Sequence, residues 1–378
     1  MPKVKLCKTC DGCGACVNAC KFKALEMAKN ENGFFVATYN EKNCKNCGIC
    51  ERICKQKATT FQFTQNTFIV KAKEEETLMR SSSGGAFTAL TDVVLDLGGK
   101  IYGAIFGQGF SVEHACAIDK IGRNKMRGSK YVQSNVGDCY KEIKKDLLEG
   151  KDVFFSGTPC QVDGLIVFLK TLGVSTEKLV TCEVLCNGVS SPKLWERYVK
   201  EFIKLSKISN IYFRYKSSAI KGSIFVVEKK NGFLDARGYY TKLYTSGNCL
   251  SESCYQCRYT RKERAADITI GDMQGTFNGT IELNKAFGLS VVMVNTEKGY
   301  SLWKKAKAQV AYQDITGQGY EQKRMIAAVQ KPSTVETFWQ DEKKYSMRKL
   351  LKKYAGRTLR EEIYQIKTSL EIKKRGKK

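Results

Sequence analysis

The chain has 378 residues, of which 42% are hydrophobic, and a formal net charge of +26. A chain of this length can form two or three domains with hydrophobic cores. No run of 18 apolar residues and no apolar stretch at the N-terminus occurs, so neither a membrane-spanning helix nor a signal peptide is predicted. We therefore expect a cytoplasmic protein, or one that meets a membrane only at its surface.

The positive charge is concentrated late in the chain, where residues 341–378 hold 14 Lys or Arg against 5 Asp or Glu. Such an excess favours acidic partners, among them nucleic acid, an anionic membrane surface, acidic proteins and acidic substrates. A solvated basic surface is the simpler interpretation. Nucleic acid is not expected as the main partner, because no known binding module occurs and aromatic residues do not alternate with basic ones.

The 17 cysteines indicate metal binding. A disulfide framework suits short secreted chains, whereas a long chain without an export signal is better explained by thiolate ligands to metal. Their spacing decides which metal centre is predicted.

Two runs of one pattern occur near the N-terminus, CDGCGACVNAC at 10–20 and CKNCGICERIC at 44–54. Both follow C-x2-C-x2-C-x3-C, in which the last cysteine of each run binds the other cluster of a bacterial two-cluster ferredoxin. The spacing therefore predicts two [4Fe–4S] clusters, with a pair of zinc sites as the alternative. The first cluster has the ligands Cys10, Cys13, Cys16 and Cys54. The second has the ligands Cys20, Cys44, Cys47 and Cys50.

Some details of this N-terminal module differ from the usual ferredoxin pattern. Lys21 and Lys55 follow the fourth cysteines, where bacterial ferredoxins generally have proline, and Cys7 is a spare thiol. Apolar or alternating stretches at residues 24–27 and 60–63 predict a small two-fold fold over residues 1–70. Residues 71–77 are predicted to be a charged linker.

Alternating helices and strands follow from residue 78 onward, which favours an α/β architecture. Helices are predicted at residues 86–97, 139–148 and 161–172, and buried strands at 101–106, 152–155 and 178–185. Strands of a second sheet are predicted at residues 208–213, 224–228, 267–270 and 289–294.

The basic tail carries a helical stripe of apolar residues that we expect to pack on the body of the protein and not on a membrane. The stripe consists of Leu351, Ala355, Leu359, Ile363, Ile366 and Leu370. The predicted fold is thus α+β or α/β and multidomain, with a bacterial-type two-cluster ferredoxin fold before an α/β region. Its predicted domains are residues 1–70, 75–155, 156–340 and the tail 341–378.

Two glycine-containing turns have the form of ligand-binding loops. Residues 81–85, SSSGG, can cap the helix at 86–97, and residues 156–161, SGTPCQ, lie between a strand and a helix. Gly157 lets the backbone approach a ligand, and a helix start offers N–H groups to phosphate.

Several stretches together resemble the coenzyme F420 hydrogenase/dehydrogenase beta-subunit family, over residues 1 to about 340. They are SSGGAFTAL (82–90), GSKY (128–131), SGTPCQ (156–161), CNGVSSPKLW (186–195), CYQCRYT (254–260) and ADITIGD (266–272). The resemblance implies a flavin-containing iron–sulfur oxidoreductase with FAD and a third [4Fe–4S] cluster.

The resemblance also implies which residues bind these groups. The third cluster would have the ligands Cys160, Cys186, Cys254 and Cys257, with Cys182 and Cys249 as substitutes. The flavin would be contacted by Ser83, Gly84, Gly85, Gly128, Ser129, Lys130, Tyr131, Gly157 and Thr158. For Cys254 and Cys257 a small zinc site or inert thiols is the alternative, and Cys116 and Cys139 are predicted to be buried apolar residues.

One position departs from the family pattern, because Asn187 stands where many relatives have histidine. Asparagine cannot act as a general acid near pH 7. We expect acid–base chemistry to fall to Lys130 or Tyr131, with Glu183 and Asp272 as weaker candidates. His114, the only histidine of the chain, is predicted to be structural.

The resulting hypothesis is an enzyme in which clusters pass single electrons to FAD, and FAD reduces a two-electron acceptor. The acceptor would be a small organic substrate or the deazaflavin coenzyme F420, and the redox partner a ferredoxin or a reductase or hydrogenase subunit. The alternative is a non-catalytic electron-transfer subunit whose substrate site lies in a partner.

Overall fold

The N-terminal module folds into a hairpin and two helices in the computed structural model, which describes residues 9–56, 61–203, 205–217, 222–236, 238–274 and 288–375. Strands β1 (Leu25–Lys29) and β2 (Phe35–Tyr39) pair antiparallel, between helices α1 (Ala15–Ala19) and α2 (Ile49–Gln56). In the apolar stretch at 60–63, Gln62 forms an isolated bridge with Arg264, and no strand lies within the described residues 61–63. Cys7 and Thr60 lie outside the described residues.

An eight-stranded mixed sheet forms the body of the protein, in the order β13-β3-β12-β11-β7-β6-β4-β5. Strands β4, β6, β7 and β11 run parallel, and the other four pair antiparallel. These strands are β3 (Asn66–Ala72), β4 (Lys100–Phe106), β5 (Val112–Ala117), β6 (Val153–Gly157), β7 (Leu179–Val184), β11 (Ile268–Asp272), β12 (Ser290–Val294) and β13 (Val310–Asp314).

Helices cover both faces of this mixed sheet, so its central parallel strands are buried on both sides. Consecutive strand residues point to opposite faces, so Phe154 packs under α4 and α11, while Phe155 packs under α6 and α7. The four helices just named are α4 (Ala86–Asp96), α6 (Cys139–Leu148), α7 (Pro159–Thr171) and α11 (Glu297–Ala306). Two short helices accompany them, α3 (Glu75–Arg80) before α4 and α5 (Lys120–Met126) after β5.

The N-terminal module shares the core of the α7 side of the sheet. Ala15 and Ala19 of α1 and Ile53 of α2 are buried in the same cluster as Tyr140 and Phe168. Gly164 of α7 makes this approach possible, because a Cβ there would lie 3.1 Å from the Cys13 sulfur. The module is therefore packed on the α/β body through a continuous core.

A second, three-stranded antiparallel sheet packs on an aromatic cluster that includes Trp195, Tyr198, Phe213 and Tyr240. Its strands are β8 (Ile208–Tyr215), β9 (Ile224–Lys229) and β10 (Leu234–Ala236). The helices around it are α8 (Pro192–Phe202), α9 (Tyr239–Thr245), α10 (Glu252–Tyr255), α12 (Val335–Lys344), α13 (Met347–Tyr354) and α14 (Leu359–Arg375).

The structure corrects two predictions about sheet membership. The strands predicted near 267–270 and 289–294 belong to the large sheet and not to the second one, since β11 pairs parallel with β7. The linker predicted at 71–77 is instead the end of β3, an interior strand between β12 and β13, followed by the start of α3.

The predicted apolar stripe of the tail is divided between α13 and α14, and it is buried in the first part and exposed in the second. Leu351 and Ala355 are buried, as expected, whereas Leu359, Ile363, Ile366 and Leu370 are exposed. Helix α14 instead packs through Gln365, Thr368, Ser369 and Ile372. The Ser369 hydroxyl accepts a 2.8 Å hydrogen bond from the backbone of Ala236. Within the described ranges, no helix combines the length and apolar character needed to cross a bilayer.

A buried ion pair joins the centre of the large sheet to the loop after α10. Arg264, 2% exposed, donates from its guanidinium to Glu183, which is fully buried, and to the backbone carbonyls of Tyr259 and Arg261. Burial raises the pKa of Glu183, and Arg264 opposes that rise. The pair ties the loop that follows Cys257 to strand β7.

We predict that Arg264→Met lowers the free energy of unfolding by about 3–5 kcal/mol, because it leaves Glu183 buried without a counter-charge. Anaerobic urea unfolding followed by circular dichroism measures the change. Arg360→Met, at an exposed position of α14, is the control and should change the value by less than about 0.5 kcal/mol. The double variant with Glu183→Met should recover most of the loss, and no recovery would contradict the assigned role.

Candidate metal and cofactor sites

The eight cysteines of the N-terminal module line two small cavities. The inner cavity, of about 30 Å³, is lined by Cys10, Cys13, Cys16 and Cys54. The outer cavity, of about 20 Å³, is lined by Cys20, Cys44, Cys47 and Cys50. The structure thus brings together the same two crossed sets that the spacing predicts.

The local backbone explains how each set converges. The positive φ angles of Gly12 (71°) and Gly14 (76°) turn the first loop around the inner cavity, and helix α2 carries a cysteine to each cavity, Cys50 and Cys54. Backbone N–H groups point at sulfur, as at 3.3 Å from Ala24 to Cys20. Such N–H groups stabilise thiolates.

The thiol chemistry of these sets fits a cationic metal core. Burial, and then the neighbouring Cys13 and Cys10, raise the pKa of Cys16. Four thiolates this crowded need positive charge between them. Among the described residues, no three His, Cys, Asp or Glu side chains are close enough to share one metal ion. The ligands of a cubane cluster bind different irons and stand further apart than ligands of one zinc ion.

A third cavity, of about 90 Å³, brings together the four downstream cysteines Cys160, Cys186, Cys254 and Cys257. Cys160 lies in the first turn of α7, Cys186 follows β7, Cys254 lies in α10, and Cys257 lies in the turn after it. Gly188 (φ 96°) allows the loop after β7 to lie close to α10, because a Cβ at this position would lie 3.3 Å from the Cβ of Cys254.

Electrostatics in the third cavity resemble those of the inner one. Burial, followed by the effect of Cys254, raises the pKa of Cys186 to about 12, and burial raises that of Cys254 to about 11. The Gly188 N–H donates to the Cys186 sulfur at 3.3 Å. Arg258 and Arg324 also line this cavity and supply positive charge near the thiols.

The remaining cysteines lie elsewhere. Cys182 is fully buried in the core of the large sheet and Cys249 in the aromatic core, so neither lines the third cavity. Cys139 is buried, as predicted. The prediction that Cys116 is buried is wrong, because this side chain lies on the exposed side of the edge strand β5.

A cavity of about 250 Å³, which we call the sheet-edge cavity, lies at the carboxyl ends of the parallel strands β6, β7 and β11. Ligands of α/β sheets bind at this edge. Of the nine predicted flavin contacts, eight line it, namely Ser83, Gly85, Gly128, Ser129, Lys130, Tyr131, Gly157 and Thr158. Gly84 does not line it and packs instead on the sheet, where its N–H donates to the Ser290 hydroxyl at 2.8 Å.

Two loops of the sheet-edge cavity are joined to each other and to the second sheet. The Ser82 hydroxyl accepts a 2.7 Å hydrogen bond from the backbone of Ser129. Lys216, which follows β8 and is 4% exposed, donates to the carbonyls of Leu78 and Ser83. Sequence patterns gave no sign of Lys216, because its partners are more than 130 residues away along the chain.

Lys130 and Tyr131 both line the cavity but have different neighbours. The Lys130 ammonium donates to the Gly128 carbonyl at 3.2 Å and lies 5.4 Å from the centre of the Phe106 ring, and burial lowers its pKa to about 7. Tyr131 stacks on Tyr244 with 4.6 Å between ring centres, and burial raises its pKa.

His114 lies in the cavity wall, which the sequence did not predict because no motif surrounds it. Its Nε2 is 3.2 Å from the Ser156 carbonyl, which can only accept, so Nε2 carries the proton. Nδ1 is buried and has no hydrogen-bond partner among the described residues. Burial lowers the pKa of His114 to about 4, so the ring stays neutral near pH 7.

The other acid–base candidates are held in ion pairs. Asp272 lines the cavity and pairs with Arg214, whereas Glu183 pairs with Arg264 away from the cavity. Asn187 also lines it, and its carbonyl oxygen accepts a 2.9 Å hydrogen bond from Arg324 of the third cavity. Asn187 therefore bonds to a cation beside the cysteines of the third cavity.

Comparison with known proteins separates the chain into two matched regions. Residues 150–317 match the family that describes the C-terminal part of the beta subunit of coenzyme F420 hydrogenase/dehydrogenase, and residues 9–58 match the 4Fe-4S dicluster domain. No curated protein matches the chain. These matches confirm the resemblance and the N-terminal ferredoxin-type domain predicted from the motifs.

Among solved structures, a chain of the F420-reducing [NiFe] hydrogenase complex from Methanosarcina barkeri, studied after xenon derivatization, is 18% identical with a TM-score of 0.48. The alignment covers 79% of this chain and 91% of that one. On the two family matches, the chain is an iron–sulfur electron-transfer protein that is related, over residues 150–317, to the beta subunit of coenzyme F420 hydrogenase/dehydrogenase and carries an N-terminal 4Fe-4S dicluster domain.

Proposed function

We propose that the chain is an iron–sulfur flavoprotein oxidoreductase that passes single electrons through three [4Fe–4S] clusters to FAD and then to a two-electron acceptor. The observation that carries this proposal is that the four cavities follow one another in space. Three contain a four-cysteine set, and the fourth is the sheet-edge cavity.

Shared wall residues establish the order of the cavities. The inner and third cavities share Thr9, Asp11 and Arg258. The third cavity and the sheet-edge cavity share Thr158, Cys186, Gly188 and Val189. The outer cavity meets the inner one through α2, which carries Cys50 of the outer set and Cys54 of the inner set. This order supports a route from the outer cluster to the sheet-edge cavity.

The residues of the sheet-edge cavity fit a flavin nucleotide. A bound flavin supplies the exchange between single electrons and electron pairs that such a reaction requires. Arg127 and Lys130 offer positive charge to phosphate, and Arg127 Nε is buried without a hydrogen-bond partner among the described residues. Neutral His114 presents Nδ1 as an acceptor, while Asn187 can donate a hydrogen bond but no proton. Lys130 and Tyr131 remain the proposed proton donors.

We propose only the chemical class of the acceptor, which is a small organic substrate or a deazaflavin such as coenzyme F420. A non-catalytic subunit, which hands its electrons to a partner, is the competing proposal. Anaerobic purification with iron and flavin analysis separates the two. We expect about twelve irons and one FAD per chain, whereas about eight irons without flavin would favour the non-catalytic role.

We predict that Cys20→Ala removes about four irons and the outer cluster, although Cys20 belongs to the first motif, because each fourth cysteine crosses to the other cluster. Electron paramagnetic resonance after reduction should show the same remaining cluster in Cys20→Ala and Cys47→Ala. A spectrum like that of Cys13→Ala would instead mean that the ligand sets are not crossed. Cys116→Ala, at an exposed position, is the control and should retain all iron.

Replacing Cys160 tests the third cluster. Cys160→Ala should lose about four irons while both clusters of the N-terminal module keep their spectra, because Cys160 lines only the third cavity. Cys182→Ala removes a buried thiol from the sheet core and should lose none. Full iron content in Cys160→Ala would refute the third ligand set.

FAD affinity is predicted to fall as pH rises above 7. The pKa of Lys130 is about 7, and a bound phosphate raises it because it favours the ammonium form. Binding is then strongest below pH 7 and weakens above it, by about tenfold for a one-unit rise in that pKa. Flavin titration of the deflavinated chain from pH 6 to pH 9 measures the slope.

Lys130→Arg provides the matched comparison, since arginine stays charged over the whole range. It should bind FAD with an affinity that changes little with pH. The same slope in both proteins would exclude Lys130 as the responsible group.

A further inference from the structure

Four lysines surround the outer cavity, and we call them the lysine collar: Lys21, Lys23, Lys42 and Lys45. They lie in the two segments that line this cavity, residues 20–25 and 39–50, and Lys45 is part of its wall. The two segments hold four lysines and one acidic residue, Glu41. All four collar residues are exposed.

The outer cavity is also the more accessible of the two in the N-terminal module. Cys47 and Gly48 are exposed, and Phe22, which lines the cavity, is 44% exposed. In contrast, Cys13 of the inner cavity is 8% exposed and packs against Gly164 of α7. A protein that exchanges electrons with this module can therefore approach the outer set more closely than the inner set.

The collar charges are not used within the described part of the chain, where none of the four ammonium groups forms an ion pair. Lysines elsewhere around this module do form such pairs: Lys29 lies 2.5 Å from Glu196, and Lys343 lies 3.5 Å from Glu31. Unpaired exposed charges of one sign around a redox centre attract a partner of the opposite sign.

We propose that the lysine collar is the docking surface for a small acidic protein that carries one electron. Docking brings the carrier to the outer cluster, where the carrier loses one electron and the cluster gains it, with no bond made or broken. The inference rests on the proposed function, because it makes the outer cluster the point where electrons enter. It adds the site and the charge of the partner.

The test is the rate at which a reduced acidic ferredoxin is oxidised by the holoprotein in anaerobic stopped-flow experiments. The variant Lys21→Glu/Lys23→Glu/Lys42→Glu/Lys45→Glu should lower the second-order rate constant at least tenfold at low salt, the scale of electrostatic steering. The difference should shrink at high ionic strength, because salt screens exposed charges. The four Lys→Gln changes should give an intermediate rate.

Two controls separate docking from other effects. The variant Lys230→Glu/Lys344→Glu/Lys352→Glu/Lys367→Glu changes the net charge equally at exposed positions outside the collar and should alter the rate less than twofold. A small zwitterionic viologen should reduce collar variant and parent at similar rates. Iron content and spectra of the four-lysine collar variant show whether its outer cluster is intact. If that variant loses the cluster, the double variant Lys21→Glu/Lys23→Glu replaces it in the rate measurement.

Equal rates for collar variant and parent would overturn the proposal, as would an equal loss in the control variant. The variant could also change the midpoint potential of the outer cluster without changing the rate of electron transfer from the carrier. This result would mean that the collar only balances the charge of its own cluster, and it would also overturn the docking proposal. None of these outcomes depends on flavin. Failure of the proposed function would be seen separately, as missing FAD or a missing third cluster in the iron and flavin analysis.

Discussion

The start of helix α7 is the constraint on which the candidate sites depend. Pro159 begins the helix directly after β6, so its first turn is fixed at the carboxyl edge of the large sheet. Thr158 caps the helix in a reciprocal arrangement with Gln161 and lines both the third cavity and the sheet-edge cavity. One turn later, Gly164 admits Cys13 of the N-terminal module. The short run of residues 158–164 thereby positions three cavities relative to one another.

The sequence predicts local features of this arrangement well. Cysteine spacing identifies the two crossed sets because ligands of a cubane cluster on one loop must follow a short, fixed interval. The extents of α4, α6 and α7 follow from apolar periodicity and helix caps, to within about two residues at each end. The loops that line the sheet-edge cavity are recognisable because glycine and small polar residues precede a helix, as at residues 81–85 before α4 and residues 156–158 before α7.

The features that sequence patterns missed depend on long-range pairing. Nothing local distinguishes β11, which joins the large sheet, from β8, which joins the small one, since membership is decided by partners far along the chain. Residues 71–77 have the composition of a linker, yet β3 is held between β12 and β13. His114 and Lys216 meet the loops of the sheet-edge cavity only through tertiary folding. The exposed stripe of α14 shows the same limit, because periodicity does not say which face of a helix is covered.

The continuous core between the N-terminal module and α7 has a consequence for how the two parts can be exchanged. Ferredoxin units fused to enzymes are often regarded as independent domains that can be transferred to another protein. Here, cutting after the second cysteine motif would uncover Tyr140 and Phe168, and cutting at residue 70 would divide β3. The matched dicluster region at residues 9–58 is therefore shorter than the unit that folds, because one side of this module completes the core beneath α7.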